Sequence, residues 1–121
     1  MPLARNMMGG GLSAGQSKAI NGGLATALTA TGTSQATGYA LKADTSIFTT
    51  VSASTGATLA SCEIGDSQEI YNGGANALTI YPDVGSKING QATNGGISLA
   101  TSTGIWFRRV SSTQWVGFLS A

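Results

Sequence analysis

Hydrophobic residues recur along the chain in short runs, and within the runs apolar and polar positions tend to alternate as in strands. Ile47-Phe48-Thr49-Thr50-Val51 is β-branched and partly alternating, which predicts a strand. Residues 68–72 and 77–81 flank Gly73-Gly74-Ala75-Asn76 and predict a hairpin, because glycine and asparagine accept the positive φ of tight turns. Pro82 should end the second of these strands, having no N–H to give a ladder. Residues 105–110 and 114–119 flank a Ser-Ser-Thr loop and predict another hairpin, with Ile105 and Phe107 on one face and Trp106 and Arg108 on the other. Residues 24–42 contain enough Ala and Leu for a helix. Their threonines, with Gly32 and Gly38, favour two strands and a turn near residues 32–34.

From residue 24 onward, strands and Gly/Asn/Ser breaks follow one another at roughly 8–12 residues, the spacing of a sandwich or barrel. The expected fold is therefore all-β, a small antiparallel β-sandwich or barrel over residues 24–121. Asn-Gly-Gly recurs at Asn21, Asn72 and Asn94, with Asn89-Gly90 besides, but the segments between do not align. That reads as recurring turn chemistry and not as a solenoid. Residues 1–23 differ, with three consecutive glycines, Met7 and Met8 in tandem, and no periodicity. Such a segment cannot bury enough apolar surface to fold alone. It predicts an extended N-terminal arm that orders on a neighbouring subunit, with Leu3, Arg5, Met7, Met8 and Leu12 as its partner-binding anchors.

Composition narrows the function. The 121 residues make one domain, and 41% hydrophobic content is adequate for a core. The charged fraction is 9%, against about 25% in a typical soluble domain. Gly, Ala, Ser and Thr supply more than half the chain and the net charge is +1, so an isolated monomer would tend to self-associate. This points to an oligomer. Cys62 is the single cysteine and reads as a small core hydrophobe. No run of about 18 apolar residues predicts a membrane helix, and Arg5 has no apolar stretch behind it to suggest a signal peptide. The cations, Arg108 and Arg109 included, are too few to suggest nucleic acid.

The chemistry of a catalyst is missing. The chain has no histidine, hence no usual general base or metal ligand. The acids are Asp44, Glu63, Asp66, Glu69 and Asp83, and only Glu63, Asp66 and Glu69 cluster. On a strand-and-turn segment these three would diverge, whereas a calcium site gathers about six to eight oxygens on a tight loop. Nothing sets two carboxylates at the separation glycoside hydrolysis needs. There is neither a G-x-S-x-G elbow nor a phosphate-binding Gly-x-x-x-x-Gly-Lys motif. The expectation is no enzyme, no cofactor and no metal.

Several spaced blocks resemble a domain common in tailed-phage virion proteins. They are Leu41-x-Ala43-Asp44-x-x-x-Phe48-Thr49-Thr50-Val51, Gly65-Asp66, Asn72-x-Gly74-Ala75-Asn76-Ala77-Leu78-x-Ile80-Tyr81-Pro82, Lys87-Ile88-Asn89-Gly90 and Trp115. The resemblance covers about residues 24–119 and leaves out the arm. It implies a small β-sandwich or barrel that assembles, often as a homotrimer, on a viral shell or appendage. The leading expectation is a capsid cement or decoration protein, made in the host cytoplasm and bound to the major capsid protein on the outside of a phage head. In the β domain, Trp106 and Arg108 are the partner-binding candidates. One rival is a tail or head fibre module. The other is a receptor- or glycan-binding tip that uses Trp106, Tyr71 and Tyr81 as a stacking platform, although at least two of these three are expected in the core.

Overall fold

The computed structural model describes residues 23–120, all-β and without a helix. Apart from Gly23 the expected arm lies outside the described residues, and so do its anchors Leu3, Arg5, Met7, Met8 and Leu12. The strands are β1 (Leu24–Thr29), β2 (Tyr39–Ala40), β3 (Thr45–Thr50), β4 (Gly56–Thr58), β5 (Ser67–Asn72), β6 (Leu78–Tyr81), β7 (Lys87–Ile88), β8 (Ile97–Leu99), β9 (Thr103–Arg109) and β10 (Gln114–Leu119). They form a six-stranded sheet in the order β1-β3-β5-β9-β10-β7 and a four-stranded sheet in the order β2-β4-β6-β8.

Up to β6 the chain crosses from one sheet to the other with each successive strand. The strands β1, β3 and β5 stack in parallel on one side, and β2, β4 and β6 stack in parallel on the other. The result is a solenoid-like stack of three coils in which Leu24 pairs with Thr45 and Thr45 with Glu69. Opposite them Ala40 pairs with Thr58 and Thr58 with Tyr81. Antiparallel strands then join the last coil, β9 on β5 and β8 on β6, with β10 antiparallel on β9.

This corrects three expectations. Every antiparallel strand pair involves β8, β9 or β10, and the strands of the first coils pair in parallel. Residues 68–81 are not a hairpin, since β5 and β6 lie in different sheets. The Gly-rich turn between them is a coil corner: a Cβ on Gly74 would come within 2.6 Å of the Val51 side chain, so only glycine lets the corner close on the coil beneath. The repeat dismissed as mere turn chemistry is a structural one, carried by coils and not by the Asn-Gly-Gly triplets. Residues 24–42 do form two strands, likewise split between the sheets, with Gly32 at φ +71° in the turn. The hairpin of β9 and β10 is as expected, with Trp115 opposite Arg109 and Leu119 opposite Ile105.

The core lies between the sheets. Phe48, Ile70, Phe107 and Trp115 come from one side and Ala57, Leu78, Ile80 and Leu99 from the other, closed by Leu41, Val51, Leu59 and Ile88. Phe48 meets the ring of Tyr39 edge-on at 5.6 Å, a favoured aromatic geometry. Two polar ties brace it. Asn72, fully buried at the end of β5, donates Nδ2 to the carbonyls of Asn76 and Leu99 (2.9 Å each) and accepts from Gly74 N at 3.0 Å. Asp83, just beyond β6, accepts from Trp115 Nε1 at 2.9 Å and pairs with Arg109 at 3.0 Å. The two ties connect the six-stranded sheet to the strands and loops opposite it.

Candidate functional site

The outer face of the six-stranded sheet carries the chain's most distinctive exposed surface. Residues with alternate orientation to the core point outward, and the register sets them in rows. One row crosses five strands as Leu24, Thr45, Glu69, Trp106 and Phe118, each the cross-strand partner of the next. The neighbouring row runs Ile47, Tyr71 and Gly104. Large apolar groups are left in solvent here: Leu24 is 64% exposed, Phe118 51% and Tyr71 42%. The rows border a groove of about 350 Å³, with Ile47, Glu69, Tyr71, Gly104, Trp106 and Phe118 in its lining.

Gly104 lines the groove together with Tyr71, Trp106 and Phe118, and having no side chain it takes up none of that space. Trp106 and Phe118 pack at 5.1 Å between centroids, tilted by 34°. The Arg108 guanidinium carbon sits 4.9 Å from the Trp106 centroid, a cation–π contact along the same face. Glu69 is exposed between the aromatic groups, and one of its oxygens accepts a hydrogen bond from the Thr45 hydroxyl at 3.2 Å. Among the described residues Glu69 has no ion-pair partner, for the pair Arg109–Asp83 is the ion pair formed there.

The two β-domain residues singled out from the sequence, Trp106 and Arg108, thus lie together on this face and touch. The proposed aromatic platform is met in part. Tyr71 and Trp106 line the same groove, but Tyr81 lies on the other sheet, where a Cβ on Gly56 or Gly96 would abut its ring and its hydroxyl donates to Thr33 O at 3.1 Å. None of the three is buried, contrary to expectation; the buried aromatics are Phe48, Phe107 and Trp115. Phe118 and Gly104 were not picked out from the sequence, and Glu69 was noted there only in the acidic cluster with Glu63 and Asp66. Alternation along β10 could have found Phe118, since it is opposite Trp106. The other two come from β5 and β9, whose pairing no local signal announces.

Elsewhere Cys62 is half-buried beside Lys42, Asp44, Asp66 and Gln68. Burial, helped by the charges of Asp66 and Asp83, pushes its thiol pKa up against a hydrogen bond from Gln68. Glu63 and Asp66 close their own turn, Asp66 Oδ2 accepting from Glu63 N at 3.2 Å. Among the described residues no three of His, Cys, Asp and Glu converge to hold a metal ion. No known family model matches the chain, and no curated protein or solved structure matches it.

Proposed function

We propose that this chain is a non-enzymatic structural protein that docks on a larger assembly through the outer face of its six-stranded sheet, as a cement or decoration protein on the outside of a phage head. The observation that carries the docking is the exposed Tyr71, Phe118 and Leu119, gathered with the half-buried Trp106 around one groove on this face. A contiguous exposed apolar patch marks an interaction surface. The low charge of the chain suits a subunit covered by neighbours. The phage address, the major capsid protein as partner and the homotrimer rest on the resemblance of residues 24–119. In this reading Trp106 and Arg108 contribute to the docking face, and Leu3, Arg5, Met7, Met8 and Leu12 add a second set of contacts. At about 25 cal/mol per Å² of apolar surface, modest contacts repeated over a shell sum to large stabilisation.

The test is where the protein sits in the virion and in how many copies. Hundreds of copies on the head support cement; a handful at the tail overturn it in favour of a fibre module. A second reading, a glycan-binding tip, is favoured by Tyr71 and Trp106 sharing one groove. It predicts retention on immobilised saccharides that is lost in Trp106→Ala.

A further inference from the structure

The groove over Gly104 has a chemistry more specific than an apolar patch. Its walls are aromatic, and its lining holds one charged side chain, the carboxylate of Glu69. The hydroxyl of Thr45 bonds one Glu69 oxygen, and among the described residues no hydrogen bond reaches the other. A neutral aliphatic occupant would bury that carboxylate without compensation, which costs heavily. An anionic occupant would be repelled. A cation is attracted twice, by the carboxylate and by the π-faces of the rings, as the Arg108 guanidinium already is at Trp106. Among cations, a guanidinium on an aliphatic stem fits best: it is planar, stacks on rings, and gives a carboxylate two parallel hydrogen bonds. Gly104 leaves space for the stem, and at about 350 Å³ the groove takes a side chain, not a fold.

We propose that this groove receives an arginine side chain presented by a partner protein, with Glu69 as its counter-ion and Tyr71, Trp106 and Phe118 as its walls. This rests on the reading that the six-stranded sheet docks through its outer face, and it names the group on the partner that the face recognises. Arg108 is held beside Trp106 at the margin of the groove and is not among the residues that line it.

The free chain can be tested with a small probe. N-acetyl-L-arginine amide is titrated while the indole N–H resonance of Trp106 is followed by NMR, with N-acetyl-L-citrulline amide as the uncharged isostere. The expected result is a saturable shift with the arginine probe and binding about tenfold weaker with citrulline, the combined value of an exposed ion pair and a cation–π contact. Glu69→Gln should cut the difference between the probes to the cation–π part alone, about threefold. Gly104→Val should abolish both, by filling the groove. Its Cβ meets only ordinary contacts, 3.5 Å from Ile70 O and 3.6 Å from the Tyr71 ring, so the fold should tolerate it. Equal binding of the two probes, no binding of either, or a Trp106 shift with neutral disaccharides alone would overturn the proposal. So would an oligomer of the free chain in which Trp106 is sealed from both. None of these outcomes bears on where the protein sits in the virion, so the docking reading can survive the failure of this one.

Discussion

The indole Nε1 of Trp115 donates to Oδ1 of Asp83 at 2.9 Å, joining β10 to the loop that leaves β6 in the other sheet. The second oxygen of Asp83 takes Arg109 at 3.0 Å, and the Arg109 guanidinium carbon lies 5.5 Å from the Trp115 ring centroid. One carboxylate thus fixes both strands of the C-terminal hairpin to the coil stack. Asp83→Ala leaves the buried Arg109 without its counter-charge, and is expected to cost about 3–5 kcal/mol in chemical denaturation. Trp115→Phe keeps the ion pair but loses the indole donor. Asp83→Asn should fall below the alanine variant in cost, since an amide oxygen can still accept from Trp115.

Asn72 makes the second brace: two of its three hydrogen bonds hold the turn that follows it, and the third reaches Leu99 at the end of β8. At about 1 kcal/mol per bond, Asn72→Ala is expected to cost about 3 kcal/mol. Asn72→Asp should cost more. It keeps an acceptor for Gly74 N but sets a carboxylate against the carbonyls of Asn76 and Leu99. Equilibrium unfolding of the two variants ranks them, and a smaller loss for Asp would contradict the assigned orientation of the amide.

These braces show what could be read from the chain and what could not. Alternation identified β3, β5, β6, β9 and β10, and put Trp106 and Arg108 on one face, because each of those strands is long enough to show a period of two. Strands β2 and β4 have two and three residues, too few for any period. Parallel partners such as Thr45 and Glu69 are a full coil apart, so their pairing leaves no local mark. The turn residues misled for a related reason: Gly73-Gly74 serves a corner between sheets as well as it would serve a hairpin. Asn72 ends its strand, as expected, and is buried there, whereas Asn94, with the same two glycines after it, sits at φ +65° and accepts from Gly85 N. The groove depends on β3, β5, β9 and β10 lying side by side, which only the tertiary fold decides.

Ser46 on β3 is wholly buried, and among the described residues its hydroxyl finds no hydrogen-bond partner. An unpaired buried hydroxyl is a standing desolvation cost. Ser46→Ala removes it with little change of volume, and is expected to stabilise the fold by up to about 1 kcal/mol. Thermal and urea unfolding of the variant provide the check. A loss of stability would mean that the hydroxyl is paired in solution.

Two carboxylates should give opposite dependences on pH. Burial raises the pKa of Asp83, but hydrogen bonds from Trp115, Arg109 and Ser86, with the Arg109 charge, outweigh it and hold the group below its usual value. Its stabilising contribution is therefore complete above the unfolded value of about 3.9 and is lost as pH falls through the lower folded value. Asp44 is shifted the other way, by burial first and then by the charges of Asp66 and Glu69. In the unfolded chain it ionises near pH 3.9, and in the folded chain only at higher pH. Its cost is thus absent below about pH 3.9, accrues as pH rises through the folded value, and is complete above that. Asp44→Asn should be neutral at acid pH and stabilising at pH 7, by no more than about 0.5 kcal/mol for so partly buried a group. Asp83→Asn should destabilise at pH 7, with the difference from the parent shrinking as the pH drops below about 4. Urea midpoints across that range measure both, and a stabilisation by Asp44→Asn that persisted at low pH would show that neither the burial of the Asp44 charge nor its repulsion by Asp66 and Glu69 is the cause.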